Sequence, residues 1–105
     1  LRRSARGLMD GSLPEEEVAA YTEALDSFAP DGIIYHALRT RRASSRRFVS
    51  VHVLVPGDWT VQKGHDAVEL VEAKIRSVLP RTTVFTHLEP IEDPASWDDV
   101  HLDRH

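Results

Sequence analysis

Six histidines are distributed through a chain of 105 residues that contains no cysteine. Any metal it holds must therefore be bound by nitrogen and oxygen, and thiolate sites, thiol nucleophiles and disulfides are excluded. Four of the six, His36, His52, His65 and His87, fall inside segments that read as regular structure. Neutral imidazole is a good zinc ligand, and a zinc site needs about four nitrogen or oxygen donors converging at roughly 2.0–2.2 Å, which neighbouring strands supply at matching levels. His87 and Glu89 stand two apart in a strand-like run, so their side chains leave the same face. A carboxylate beside imidazoles lowers the net positive charge of an occupied site, and such a mixed set favours zinc-like ions over calcium or magnesium. Protons compete for the same imidazoles, so binding is expected to weaken below about pH 6.5. The same histidines also have a plain structural reading as core or edge residues. His65 in particular could be the first core-facing residue of its helix, although the positive start of a helix disfavours imidazolium and keeps a neutral ring available for metal.

Other chemistries are poorly served. The formal net charge is −4 with 41% hydrophobic and 29% charged residues, the profile of a soluble globular domain with no general attraction to polyanions. Arg39, Arg41, Arg42, Arg46 and Arg47 flank one turn, but no aromatic residues interleave them as a nucleic-acid surface would require, and they are expected to pair with acidic neighbours or a second subunit. Ser44-Ser45 near His36 lacks a visible orienting group and oxyanion site, and no glycine-rich phosphate loop is present, so catalysis is the least favoured class and no enzyme is expected. Trp59 and Trp97 read as packing residues.

The elements that must position the histidines follow from pattern. Ser12-Leu13-Pro14-Glu15 has the serine and glutamate of a capping box and predicts a helix running to about Phe28, with Val18, Tyr21, Leu25 and Phe28 as its apolar face. Pro30-Asp31-Gly32 stops it. Two extended runs, 33–41 and 46–55, are separated by four residues that suit a hairpin, across which His36 and His52 can meet. In the second run Val49, Val51, Val53 and Val55 point one way while Phe48, Ser50, His52 and Leu54 point the other. Both faces carry apolar groups, so both should be covered, one by helices and the other by a second subunit. Thr60 caps a second helix over 61–79 with a buried stripe of Val61, His65, Val68, Val71, Ile75 and Val78, and a third strand spans 82–89. A right-handed crossover lays that strand parallel to the second. The expectation is an α+β fold, a truncated ferredoxin-like αββαβ sandwich with a three-stranded mixed sheet and both helices on one face.

Residues 1–11 read as a connector, 12–90 as the folded unit, and 91–105 as an acidic, flexible tail. A leading Leu in place of Met hints at a fragment of a longer protein, and no apolar run approaches the roughly 20 residues that span a bilayer, so this segment is not expected to insert in a membrane.

Taken in order, Leu8-Met9-Asp10 before Leu13-Pro14-Glu15-Glu16-Glu17, His36-Ala37-Leu38-Arg39-Thr40-Arg41, Phe48-Val49-Ser50-Val51-His52-Val53, Gly64-His65 and His87-Leu88-Glu89-Pro90 resemble the cytosolic carboxy-terminal domain of the cation diffusion facilitators. The likeness covers about residues 8–90. It implies the metallochaperone-like version of the fold, a V-shaped homodimer closed by metal, and a zinc-like ion held by His36, His52, His65, His87 and Glu89. Other members carry aspartate where this chain has Glu89, which keeps an oxygen donor on a longer arm and leaves one- or two-ion occupancy open. His101 and His105 lie beyond the likeness. The implied role is a metal-sensing, cytoplasmic regulatory domain attached to the transmembrane domain of an efflux transporter. Two alternatives share the fold: a free-standing metal-binding or metal-delivery protein, and a dimeric interaction module whose histidines are structural.

Overall fold

Helix, hairpin and crossover signals resolve, in a computed structural model that describes residues 11–97, into α1 (Glu15–Asp26), a 3-10 turn (Ala29–Asp31), β1 (Ile34–Ala43), β2 (Arg46–Val55), α2 (Val61–Val78) and β3 (Thr82–Pro90). The expected connector, apart from Gly11, and the end of the expected acidic tail with His101 and His105 lie outside the described residues. The sheet order is β1-β2-β3, with β1 antiparallel and β3 parallel to β2. The mixed three-stranded sheet expected from the sequence is present. Among the described residues, no helix is long and apolar enough to cross a membrane.

The start of α1 differs from the capping-box expectation. Pro14 occupies the N-cap, no side chain caps the helix, and the amides of Glu17 and Val18 donate to the Pro14 carbonyl at 3.0 and 3.1 Å. Ser12 lies two residues too early to act as the cap. Glu15, Glu16 and Glu17 instead place negative charge in the first turn, where the helix dipole favours it. α2 begins as expected, the Thr60 hydroxyl accepting the Lys63 amide at 3.0 Å.

The core forms between the helices and one face of the sheet. Val49, Val51, Val53 and Val55 of β2 meet Tyr21 and Leu25 of α1 and Ala67, Val71 and Ile75 of α2, all buried. The expected stripe on α2 is corrected at its first turn: Gly64 is buried, whereas Val61 is 88% exposed and His65 faces solvent. The buried face runs through Gly64, Ala67, Val71 and Ile75, with Val68 and Val78 half-buried beside it, so the stripe holds from Val68 onward and differs in the first turn, where Gly64 takes the place expected of His65. The reason is close approach to β3, since a Cβ on Gly64 would stand 2.9 Å from Leu88 Cδ2. A glycine contributes nothing to an apolar pattern, so the stripe appeared to begin at its neighbour.

Two polar contacts tie the helices to the strands. The Thr82 hydroxyl donates to the Leu79 carbonyl at 2.8 Å, so in the buried 2.6 Å contact with Tyr21 it is the tyrosine hydroxyl that donates. Arg47 donates through Nε and Nη2 to the two carboxylate oxygens of Glu17 at 2.9 and 3.0 Å, and through Nη1 to the Pro80 carbonyl at 2.7 Å. Arg42 stands 3.6 Å from the same carboxylate, Arg46 donates to Thr83, and Arg41 lies over the Phe48 ring. Arg41, Arg42, Arg46 and Arg47 are thus engaged within the domain.

Tyr21→Phe removes a buried donor and should lower unfolding stability by about 1 kcal/mol in urea denaturation. The Arg47 hydrogen bond, opposed in part by burial, holds the Glu17 carboxyl below its ordinary pKa. Because the folded value is the depressed one, the stabilisation is complete above the unfolded carboxylate pKa, near 4.3, and is lost as pH falls through the folded value. Glu17→Gln should therefore be less stable than wild type at pH 7, with the gap closing below about pH 4.

Candidate metal centre

The face of the sheet opposite the helices is organised in cross-strand rows. β2 pairs with β1 so that Arg41 faces Phe48, Arg39 faces Ser50, His36 faces His52 and Ile34 faces Leu54. On the other side it pairs with β3 so that Thr83, Phe85, His87 and Glu89 fall at the same four levels. His36, His52 and His87 consequently form one row across all three strands, with Glu89 two residues beyond His87 on the same face.

That row depends on an irregularity in β1. Between His36 and Arg39 the register shifts, three steps on β1 matching two on β2, and Ala37 within this bulge has a φ of 56°. A regular strand would send His36 and Arg39 to opposite faces. The extra residue keeps both on the histidine face while Tyr35 and Leu38 both reach the core.

Glu89 is the hub. Its side chain is 8% exposed, with Oε1 3.4 Å from His36 Nε2 and Oε2 3.3 Å from both His52 Nδ1 and His87 Nδ1. The rings follow one another at close spacing, His36 to His52 at 5.1 Å and His52 to His87 at 5.0 Å between centroids. One carboxylate balances one imidazolium, so three imidazoles around it exceed what simple ion pairing uses. Donors bound to a single tetrahedral zinc at about 2.0–2.1 Å stand about 3.3–3.4 Å apart, the edge of the tetrahedron. The nitrogen–oxygen separations around Glu89 are of that size but divide between its two oxygens, Oε1 towards His36 and Oε2 towards His52 and His87. His36, His52 and Glu89 each offer one donor atom within 4.8 Å of the others, a group of the size a metal ion requires.

Of the five residues singled out in the sequence, four converge. His36 and His52 are largely buried, and His87 shares the same carboxylate while its side chain is 65% exposed. His65 stands apart on the outer surface of α2, its Nε2 3.6 Å from Glu69 Oε2 one helical turn along. Trp97, read from sequence only as a packing residue, lies with its ring 5.0 Å from that of His36. It is brought there by residues 91–97, placed by sequence in the acidic tail. No local motif marks this contact, because it depends on how the chain turns after Pro90.

Comparison with known proteins identifies the family and the fold. Residues 13–91 match the family described as cation efflux protein, cytoplasmic domain. A protein of Synechocystis sp. named uncharacterized transporter sll1263 is 47% identical over 97 residues, 92% of this chain and 31% of that protein. The cation-efflux pump FieF of Pectobacterium atrosepticum is 28% identical over 88 residues, 84% of this chain and 29% of the pump. The chain thus spans about a third of the length of these relatives. The Zn form of CzrB superposes with a TM-score of 0.69 at 29% identity, over 81% of this chain and 97% of the other. The metal-bound C-terminal domain of the CzcD transporter from Thermotoga maritima superposes with a TM-score of 0.68 at 18% identity, over 75% and 92% of the two chains, and shows the shared fold.

The bulge gives a direct test of how the histidine row is set. Ala37→Gly, which relieves the left-handed strain, should raise stability by about 0.5–1 kcal/mol. Ala37→Val, branched at a position of positive φ, should lower it by about 1 kcal/mol or more. Thermal unfolding of the two variants checks the assignment.

Proposed function

Because the chain belongs to the family of cation efflux protein cytoplasmic domains, we propose that it is the regulatory cytoplasmic domain of a divalent-cation efflux transporter, binding a zinc-like ion and dimerising to control transport. The observation that carries this reading is the buried Glu89 carboxylate with three imidazole nitrogens at 3.3–3.4 Å from its oxygens. A nitrogen- and oxygen-rich set of this kind suits zinc among the common divalent ions.

In this reading His36 Nε2, His52 Nδ1 and Glu89 hold the ion, and the solvent-facing His87 is the donor on the entry side. The two oxygens of Glu89 face different imidazoles, so the carboxylate has the reach to bridge two ions. His65, carried by the family likeness, stands outside this group within one chain. A binding role, not a catalytic one, follows for these residues.

Dimerisation draws support from the same sheet face. Beside the histidine row lies a groove of about 370 Å³ lined by Arg39, Arg41, Phe48, Ser50 and Phe85, and Phe85 is 59% exposed. A second copy meeting this face would cover apolar surface that one layer of helices leaves open. Ions that bind the closed dimer better than the open one shift the population towards it and bias the attached membrane domain. Moving such an equilibrium from 1:99 to 99:1 takes about 10⁴-fold tighter binding to the closed form, or about 5.5 kcal/mol, a scale that a ligand contributed across an interface can supply. The chain then sits at the cytoplasmic face of the membrane as part of its transporter.

Zinc calorimetry at neutral pH, with small-angle scattering in parallel, tests the proposal. Wild type should bind at micromolar or tighter affinity and become more compact, and a His52→Ala, His87→Ala double variant should lose both responses. Absence of wild-type binding would remove the metal assignment. Binding without a change in shape would instead favour a free-standing metal-binding or delivery role.

A further inference from the structure

The histidine row has two edges, and they are treated differently. His52 on the central strand has an imidazole on each side, at 5.1 and 5.0 Å. His87 on the β3 edge is open to solvent at 65% exposure, whereas His36 on the β1 edge is only 10% exposed. An edge strand has a neighbour on one side only, so something other than the sheet must cover His36. That cover includes Trp97, whose ring is tilted by 44° against the imidazole at 5.0 Å.

Trp97 is held by a built turn. The Ile91 amide donates to the Val55 carbonyl at 2.9 Å, fixing the segment to the end of β2, and the Gly57 amide donates to Glu92 Oε1 at 2.8 Å. Asp93 organises the bend, its carboxylate accepting the Ala95 amide at 3.0 Å and its carbonyl the Ser96 amide at 2.9 Å. Ser96 is buried and donates to the Pro90 carbonyl at 2.7 Å, and the indole Nε1 donates to the Ile91 carbonyl at 2.8 Å. The indole is anchored at Nε1 while the residue stays 42% exposed, and its ring beside the imidazole restricts the rotation of His36.

We propose that Trp97 is a positioning residue for metal binding, locking the His36 ring with Nε2 towards Glu89 and closing that edge of the centre to water, so that ions enter and leave at the His87 edge. The proposal rests on the reading that His36, His52 and Glu89 bind a zinc-like ion. Groups that orient metal ligands typically change metal affinity 10- to 100-fold when removed. Loss of the indole should act on ion release, since it frees a ligand without deleting it.

The test measures zinc release from the 105-residue chain into excess chelator by stopped flow, alongside melting temperature. Trp97→Ala should release zinc about 10-fold faster or more. Trp97→Phe, which keeps an aromatic plane, should stay within about threefold of wild type. A role confined to stability would lower the melting temperature of Trp97→Ala and leave release unchanged. Release from Trp97→Ala at the wild-type rate, or equally fast release from both variants, overturns the proposal while leaving zinc binding intact. No zinc binding by wild type overturns the metal reading and this inference together. As a check that does not depend on Trp97→Ala folding, Trp59→Phe leaves Trp97 as the single indole of the two in the chain. Cobalt should quench its emission in step with binding, and cobalt binding without quenching would overturn the placement.

Discussion

A carboxylate taken out of water must find compensating partners, and Glu89 is the charged group on which the arrangement of this sheet face depends. Its residue is 7% exposed at the end of β3, yet it touches imidazoles contributed by all three strands. Removal of an ion from water is worth several kcal/mol in a protein, so such a group is retained only where donors or a cation answer it. Three imidazoles stand within 3.3–3.4 Å of it, His36 at hydrogen-bonding geometry, on strands whose backbone pairing limits how far they can move. A site on a regular sheet is better pre-organised than one on loops, and this is what a selective ion site needs.

Register makes that possible. A slip of one residue along β3 would turn Glu89 and His87 towards the core and bring Leu88 to the open face. The beginning of β3 is held by several independent ties: Tyr21 to Thr82, the Arg47 amide to the Arg81 carbonyl at 2.8 Å, and the Arg47 guanidinium to Glu17 and Pro80. Contacts far from the histidines thereby set the level at which Glu89 emerges. On the other side of β2, the bulge at Ala37 performs the same task for His36. The core and the candidate metal centre are thus two faces of one strand, with valines at alternate positions fixing the first and His52 taking its place in the second.

The two ends of the open face differ in character. Towards the hairpin lie Arg39, Arg41, Phe48 and the exposed Phe85, a surface with apolar and cationic parts. Towards the other end lie the imidazoles, Glu89, the fully buried Leu54 and the turn that carries Trp97. In the proposed reading, the ion and the second subunit would meet adjoining parts of one surface.

Much of this was legible in the order of residues. Alternating valines in 49–55 gave β2 and its two faces, the proline and glycine signals bounded each helix, and a short turn followed by a long crossover dictated an antiparallel and then a parallel neighbour. The period of two also put His87 and Glu89 on one face, and composition restricted any metal donors to nitrogen and oxygen. These are local properties, set by steric limits and by the repeat of each element. What depended on the tertiary structure was distance across the chain. Gly64 is silent in a hydrophobic pattern, so only close approach to Leu88 showed where α2 is buried and turned His65 outwards. Ala37 carries no bulge signature, so only pairing with β2 aligned His36 with His52 and His87. Trp97 looked like a packing residue until the turn after Pro90 set it against an imidazole 61 positions earlier in the sequence. Sequence fixes periodicity, whereas register and approach are decided by which non-local contacts the folded chain can satisfy together.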